Sequence, residues 1–430
     1  MKIAYFSPLS PQKSGIADYS ERELLPFLSK YMEIDLYIDE GIIPDNPDII
    51  KNFKIFHYKE FDKRVEDYDA IIYHIGNNPL HAYIYETLLK YPGVVVFHDV
   101  FLHGLIASMT LSKGKKKEYI DEFEYNYGKN GRDIAAKTIK FGISPDFEYP
   151  LIKKIVDFST GVIVHSQYAR GIVMKERPGA KVRKINMPIS PGIKNDNPEA
   201  IRKKYNIGDN IILSSFGYLA YHKRLNVVIR TFNEFHRLHP DSKIMLIGKP
   251  LSNYDEFDKI SNDLKKFVIN TGFVPADDLN DYLAIPDIFI NLRYPTAGET
   301  SISVLKAMEA GKPVIVSNVG WFSELPDNCC AKVNVNNYEE EILLEYLKEL
   351  ASNEKLRKKM GDNAREYVLK EHNPEKIAQE YYNFICDAAT GDKAFAIKEI
   401  SDDMADIGIS ENDTQVIKEI AIVLKELGIS

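Results

Sequence analysis

Short apolar runs alternate with segments of helical periodicity along most of this chain. The runs in its first half are Lys2–Phe6, Ile34–Ile38, Ile71–His74, Val94–His98 and Val162–His165. Strands that alternate with helices favour parallel sheets, because each parallel strand needs a crossover connection that covers a face of the sheet. The sequence therefore predicts an α/β fold.

A break in this alternation divides the chain. Residues 186–198, NMPISPGIKNDNP, are rich in Pro, Gly and Asn, which is typical of a linker. Six further candidate strands follow it: Ile211–Ser215, Lys243–Ile247, Phe267–Thr271, Ile288–Asn291, Pro313–Val316 and Ala331–Val335. Because 430 residues exceed one ordinary core, we predict two doubly wound, Rossmann-like domains, at residues 1–190 and 191–373.

Purely helical patterns complete the chain. No strand candidate occurs between about residues 101 and 157, which predicts a helical insertion in the first domain. From Glu339 onward the pattern is again helical, ending in an acidic tail at residues 391–430. The tail carries an apolar stripe that we expect to dock on the chain's own body or, alternatively, on a second copy or another protein. The stripe comprises Val416, Ile417, Ile420, Val423, Leu424 and Leu427.

Composition and charge narrow the partners and the location. The net charge is −8, and most of it lies in the tail, so the rest of the chain is nearly neutral. Nucleic acid is not an expected partner, because duplex binding needs a clear basic face. No run approaches the ~18 apolar residues of a membrane span, and the N-terminus lacks the apolar region of a signal peptide. We therefore expect a cytoplasmic protein.

One basic run leaves two readings open. Lys113-Gly114-Lys115-Lys116-Lys117 indicates either peripheral contact with the anionic inner face of a membrane or a solvated helix start.

Metal binding is not expected. The cysteines Cys329, Cys330 and Cys386 have neither a zinc spacing nor a disulfide framework, so we expect buried free thiols. Asp67-Tyr68-Asp69 precedes a strand, which is the wrong edge of the sheet for a ligand site.

Loops at the carboxyl ends of the strands are where an open α/β sheet binds ligands. After the first strand, Gly15 precedes a helix and indicates either close approach of a ligand or ordinary turn chemistry. The G-x-G-x-x-G fingerprint of dinucleotide binding is absent. His98 ends the fourth candidate strand, which suits hydrogen bonding or proton exchange with a ligand. A structural histidine is the alternative, and His74 and His103 are weaker candidates.

The segment FGYLAYHKR, Phe216–Arg224, ends in a cationic pair at the start of a helix. Helix N-termini favour negative charge, so Lys223 and Arg224 indicate a bound anion. Gly217 lets the chain turn there without side-chain bulk. We expect a phosphate or diphosphate at this site, and ordinary solvated charges are the alternative.

A second unusual loop follows the strand Ile288–Asn291. Arg293 comes first, and then Glu299, Thr300 and Ser301 open a helix. Arg293 and the helix amides suit phosphate oxygens, whereas Glu299 can accept hydrogen bonds from sugar hydroxyls. Alternatively, Glu299 only interacts with the helix dipole.

These stretches, together with LIGKP, GFVPADDL and PTAGETSISVLKAMEAGKPVI, resemble the retaining glycosyltransferases of family 4, which have the GT-B fold. The resemblance covers roughly residues 1–390. It implies a nucleotide-sugar donor on the C-terminal domain, a saccharide or lipid-linked saccharide acceptor on the N-terminal domain, and a cleft between them. It also implies sugar transfer with retained anomeric configuration, in glycan biosynthesis, without an essential metal or other cofactor.

The resemblance assigns roles to single residues. Lys223 matches the lysine that neutralises the diphosphate, His98 the histidine beside the transferred sugar, and Gly15 the glycine near the donor phosphates. The backbone of Phe273 and Val274 corresponds to the segment that meets the nucleotide base. The helix at 374–390 is expected to cross back to the first domain.

Three positions depart from the family pattern. Tyr218 stands where the family usually has Arg, and Arg224 or Arg293 would have to compensate. Lys306 stands at the second glutamate of the E-x7-E motif, and Gly298 stands at the first, one residue before Glu299. Lys306 and Tyr218 make a non-catalytic subunit one alternative function. A sugar-nucleotide epimerase, which shares the GT-B architecture, is the other.

Overall fold

The computed structural model describes residues 1–192, 198–249, 260–275, 278–390, 404, 409 and 413–426. The chain forms two compact units. The first unit comprises Met1–His165, Arg170–Ile185 and Ala378–Ser430, and the second comprises Ser166–Ala169 and Asn186–Ile377.

A seven-stranded parallel sheet forms the centre of the first unit, in the order β3-β2-β1-β4-β5-β6-β7. Its strands are β1 (Lys2–Phe6), β2 (Glu33–Ile38), β3 (Lys54–His57), β4 (Ala70–Ile75), β5 (Gly93–Phe97), β6 (Ser159–Val164) and β7 (Val182–Lys184). The five predicted strands are confirmed. The sequence did not predict β3 and β7, because both are short edge strands with half-exposed residues and no apolar run.

A six-stranded parallel sheet forms the centre of the second unit, in the order β10-β9-β8-β11-β12-β13. Its strands are β8 (Ile211–Phe216), β9 (Ser242–Ile247), β10 (Val268–Gly272), β11 (Ile288–Asn291), β12 (Val314–Ser317) and β13 (Cys330–Val333). All six predicted strands are confirmed to within two residues at each end. The two sheets and their helices are the predicted pair of Rossmann-like domains.

Helices follow most strands and cover the sheets. In the first unit they are α1 (Gly15–Asp18), α2 (Leu25–Leu28), α3 (Pro47–Asn52), α4 (Ala82–Lys90), α5 (His103–Met109), α6 (Lys116–Phe141), α7 (Lys153–Asp157) and α8 (Gln167–Glu176), which begins in the second unit's segment. In the second they are α9 (Pro198–Lys204), α10 (Leu225–Leu238), α11 (Asn262–Lys265), α12 (Leu279–Ala284), α13 (Ile302–Glu309), α14 (Glu339–Ser352) and α15 (Glu354–Glu371). Helix α16 (Pro374–Thr390) starts in the second unit and enters the first, and α17 (Thr414–Glu426) lies in the tail.

Several further expectations can be compared with this architecture. The predicted insertion at 101–157 is α5 to α7, and the tail contains the helix α17. Leu427 and most of 391–412 lie outside the described residues, as do the side chains of Val423 and Leu424. The cysteines are free, with Cys329 and Cys330 buried and Cys386 half-buried. Within the described chain, no helix has the length and apolar character needed to span a bilayer.

Close packing between two glycines fixes α13 against α15. A Cβ on Gly361, in the middle of α15, would collide with the carbonyl oxygen of Gly311, just after α13. The absence of a side chain therefore lets the two helices approach closely. Because α13 follows the loop that carries Glu299, this packing also fixes that loop.

We predict that Gly361→Ala destabilises the second unit. The added methyl has no space, so the free energy of unfolding should fall by about 1–3 kcal/mol. Gly171→Ala is the matched control, because a Cβ on this exposed residue of α8 meets nothing within 4 Å, and it should be neutral or stabilising by up to about 1 kcal/mol. Urea denaturation of both variants measures the difference, and equal stabilities would contradict the close packing.

Candidate functional site

The turn after β8 is built around Gly217 and Lys223. Gly217 has φ +104°, and a Cβ there would collide with the Lys223 ammonium group. A 3-10 turn, Tyr221–Lys223, brings the lysine back over β8, where its Nζ donates a hydrogen bond to the Phe216 carbonyl at 3.2 Å. Glycine at 217 therefore supplies both the backbone conformation and the space that the ammonium group occupies.

The Lys223 ammonium group is held in an unfavourable environment. Burial and, to a smaller extent, the nearby Arg293 guanidinium lower the pKa of Lys223 to about 7, whereas Glu299 opposes this shift. Burial, Arg293 and Lys223 likewise lower the pKa of His222 to about 3. This surface can therefore accept an anion, which would restore the full charge of the lysine.

The loop after β11 brings Arg293 and Glu299 to the same place. The Tyr294 amide donates to the His222 carbonyl at 2.8 Å, which joins this loop to the turn after β8. Arg293 Nε lies 2.9 Å from Glu299 Oε1. β8 and β11 are neighbouring parallel strands, so their carboxyl ends share one edge of the sheet, as the sequence predicted.

Glu299 organises its own loop. Its Oε2 accepts hydrogen bonds from Thr296 Oγ1 and from the Ala297 amide, both at 2.8 Å. Oε1 faces the Arg293 guanidinium as an ion pair, although Arg293 Nε is not aligned for a hydrogen bond. Acceptor capacity therefore remains on Oε1 for a sugar hydroxyl, and the contacts of Oε2 show that Glu299 does more than face a helix dipole.

The helix after Glu299 begins later than predicted. Its first residue is Ile302, and Ser301 is the N-cap, with its Oγ 3.4 Å from the Val304 amide. Thr300 and Ser301 are buried. Ser303 also reaches the site, since a Cβ on Gly217 would lie 3.5 Å from its Oγ. No sequence signal indicated Ser303, because it lies within a continuous helical pattern.

Arg224 departs from its prediction. Its guanidinium forms a two-pronged ion pair with Glu339, with Nε donating to Oε1 at 2.7 Å and a second nitrogen to Oε2. Glu339 is buried at the start of α14. The sequence offered two expectations for Arg224, a phosphate contact or a solvated charge. The structure instead pairs it with a protein carboxylate, and this ion pair anchors α14 to the turn after β8.

The predicted base-binding residues follow the edge strand β10. Phe273 is exposed and Val274 is half-buried.

His98 lies in the first unit, directly after β5, within a group of buried aromatic side chains. Its Nε2 lies 3.0 Å from His74 Nδ1, on the neighbouring β4. The Tyr19 ring, which is nearly perpendicular to it, and the His165 ring also pack against it. Burial lowers the pKa values of His98 and His74 well below the usual range, so both imidazoles are neutral. His74 is thus tied to the candidate histidine more closely than the sequence indicated.

The remaining candidate residues of the first unit are His103, Gly15 and the acidic pair Asp67 and Asp69. His103 contacts Asp146 and Tyr119, which is a structural arrangement. A Cβ on Gly15 would meet nothing within 4 Å, so the protein's own packing does not require glycine there. Asp67 and Asp69 precede β4, as predicted, and the described residues contain no cluster of three metal-ligating side chains.

Known proteins share features of both units. A family model described as Glycosyl transferases group 1 matches residues 197–367. The candidate glycosyltransferase YtcC of Bacillus subtilis (strain 168) is 24% identical over 327 residues, which are 73% of this chain and 72% of that protein.

Two solved structures show the same architecture. HepE of Anabaena, in complex with UDP and glucose, matches with a TM-score of 0.64 and 14% identity, over 90% of this chain and 99% of that chain. The sucrose-phosphate synthase of Thermosynechococcus elongatus matches with a TM-score of 0.62 and 16% identity, over 88% and 97%. The chain therefore has the GT-B fold, and part of its second unit is similar to glycosyl transferases group 1.

Proposed function

We propose that this protein is a retaining glycosyltransferase that moves a sugar from a nucleoside diphosphate donor to a saccharide or lipid-linked saccharide acceptor. The observation that carries the proposal is the cationic site formed by Lys223 and Arg293 at the carboxyl edge of the second sheet, within the matched domain. UDP is the nucleoside diphosphate we favour, because the structure of HepE holds UDP and glucose.

Different residues of the proposed site bind different parts of the nucleotide-sugar donor. Lys223 and Arg293 bind the diphosphate, helped by the turn at Gly217 and by the hydroxyls of Thr300 and Ser301. In addition, the backbone of Phe273 and Val274 faces the base. Glu299 accepts a hydroxyl of the transferred sugar with its remaining acceptor position.

The proposed reaction exchanges one bond at the anomeric carbon. The bond from that carbon to the diphosphate oxygen breaks, and the acceptor oxygen bonds to the same face. A diphosphate oxygen takes the acceptor proton, so no protein base is required. Lys223 and Arg293 stabilise the charge that develops on the leaving diphosphate. We propose that the first unit, with Gly15 and His98, serves the acceptor and the transferred sugar.

The tautomer of His98 follows from His74. If His98 Nε2 carried the proton, neutral His74 would have to carry its own on Nε2, which is buried without a hydrogen-bond partner. An unpaired buried donor costs about 1–3 kcal/mol. In the arrangement in which His74 Nδ1–H donates to His98 Nε2, His74 Nε2 is an unpaired acceptor instead, which buried sites tolerate better than an orphaned N–H. His98 then carries its proton on Nδ1 and can donate it to a sugar hydroxyl.

We predict donor binding that depends on the second unit's site. UDP-sugars should raise the melting temperature of the protein more than GDP- or ADP-sugars do, because a specific ligand stabilises the folded state. Lys223→Ala and Glu299→Ala should weaken binding at least about tenfold. Arg230→Ala removes an exposed cation of α10 that pairs with Glu340 and should leave binding unchanged.

The transfer itself has two readouts. We expect the product to keep the anomeric configuration of the donor by NMR, and activity to persist after treatment with EDTA. Inversion would contradict the retaining mechanism, and full activity of both site variants would contradict the site.

We predict that UDP binding at pH 8 takes up protons. Free Lys223, with a pKa of about 7, is mostly neutral at this pH, and the diphosphate favours its charged form. Affinity should therefore fall as the pH rises above 7, by up to about tenfold per pH unit until the raised pKa of the complex is reached. Calorimetry in buffers of different ionisation enthalpy measures the uptake.

Two lysine variants make this test specific. Lys223→Met should abolish the uptake. Lys312→Met should retain the proton uptake. Lys312 is a matched control because its pKa is also lowered, while its ammonium group donates a hydrogen bond to the Ala284 carbonyl. Equal uptake in wild type and Lys223→Met would contradict the assignment.

We predict that His98 carries its proton on Nδ1. Long-range ¹H–¹⁵N NMR of histidine-labelled protein distinguishes the two tautomers. In His74→Asn the amide NH₂ can replace Nδ1–H as donor, so the tautomer should persist. In His74→Leu the constraint is lost, and the Nε2–H form should become populated. An Nε2–H form in the wild type would contradict the argument.

A further inference from the structure

Helix α6 of the first unit is a hairpin. Gly128, with φ 60° and ψ −144°, interrupts it and separates two arms. A Cβ on Gly131 would collide with the Phe123 carbonyl, and Arg132 Nε donates to Glu124 Oε2 at 3.0 Å. Further along, Thr138 bonds the Tyr119 hydroxyl. These pairings run in opposite directions along the two arms, so the beginning and the end of α6 lie side by side.

The two ends of this hairpin together form a basic surface with two exposed apolar side chains. We call it the hairpin end, and it comprises Lys113, Lys115, Lys116, Lys117, Lys137, Lys140, Phe141 and Ile143. All of these residues are exposed. Phe141 is 62% and Ile143 73% exposed. The sequence indicated only the first half of this surface, because Lys137 to Ile143 reach it through the fold.

The segment that carries Phe141 and Ile143 is fixed to the rest of the first unit. Ser144 and Asp146, which follow Ile143, both bond His103 at the start of α5. The Lys140 ammonium lies 5.1 Å from the centre of the Phe141 ring. Phe141 and Ile143 are therefore presented to solvent by a segment that is fixed to the unit, with Lys140 beside the Phe141 ring.

This combination fits an anionic lipid surface. Lysines gain electrostatic energy close to anionic headgroups, and their long stems let an apolar side chain beside them enter the headgroup region while the charges stay in water. Within the hairpin end, the salt bridge of Lys115 with Glu118 leaves the other lysines as excess positive charge. A nucleic acid would use the charge but would give Ile143 no partner.

We propose that the hairpin end docks the protein on an anionic lipid surface, with Phe141 and Ile143 entering the headgroup region. This docking is independent of the sugar transfer proposed above. Under this proposal, the basic run Lys113-Gly114-Lys115-Lys116-Lys117 contacts a membrane and is more than a solvated helix start.

Sedimentation with vesicles tests the charge. The full chain should bind vesicles in which about a third of the lipid is phosphatidylglycerol and should bind phosphatidylcholine vesicles at least about tenfold more weakly. The triple variant Lys116→Glu/Lys117→Glu/Lys140→Glu should lose at least about tenfold of the binding. The control Lys355→Glu/Lys358→Glu/Lys359→Glu makes the same charge change on exposed lysines of α15 and should stay within about twofold of wild type.

A second pair of variants tests the apolar contact. Phe141→Ser/Ile143→Ser should bind the anionic vesicles several-fold more weakly. Ile43→Ser/Ile50→Ser is the control, because these isoleucines of the same unit are 81% and 52% exposed. In Phe141→Trp, the new fluorescence should shift to the blue on vesicles and be quenched by brominated lipid, against a constant signal from buried Trp321.

Three results would overturn the proposal. The first is an equal loss of vesicle binding in the two triple Lys→Glu variants. The second is equal binding of the protein to both kinds of vesicle. The third is binding to a single-stranded oligonucleotide without binding to vesicles. Circular dichroism checks that each variant is folded, which is expected because every altered side chain is exposed.

Discussion

The Lys223 ammonium over Gly217 is the interaction around which the second unit's site is arranged. A partly desolvated cation with only a carbonyl as hydrogen-bond partner is costly, and Arg293 adds to that cost. The carboxylate of Glu299 offsets it in part. The other nearby arginine, Arg224, is neutralised by Glu339. Among the described residues of these two loops, the positive charge therefore exceeds the negative, and a diphosphate is an anion that would balance it.

Rigid elements hold this charge in place. The turns after β8 and β11 are joined by the bond between the Tyr294 amide and the His222 carbonyl. The Arg293 amide donates to Ser317 Oγ on β12 at 2.8 Å, which ties the loop to a third strand. The contact of Gly361 with Gly311 fixes the helix behind it. Such support lets a site keep an unfavourable charge in the absence of its ligand, since relaxation would disrupt the packing.

The sequence predicted what depends on local patterns. Buried strands and the loops after them can be recognised from short segments, and those loops contain Gly217, Lys223 and Glu299. Contacts between distant segments could not be predicted in this way. The partner of Arg224 is 115 residues further along, and His74 reaches His98 only because β4 and β5 are neighbours. The hairpin end likewise needs Gly128 to reverse α6.

The departure from E-x7-E has a local physical reason. In the register of the family motif, Gly298 stands where the first glutamate is usual, and its φ is +79°, a conformation that favours glycine over glutamate. This left-handed residue turns the chain so that the next carboxylate, that of Glu299, folds back onto Thr296 and the Ala297 amide. The carboxylate is thus retained one residue later in the sequence, held by its own loop and by Arg293. No comparable replacement accompanies Lys306, since Glu309, the nearest later acid, is buried and lies close to Gly192. Under the proposed function, donor recognition at that end of α13 therefore relies on groups other than a second glutamate of this helix.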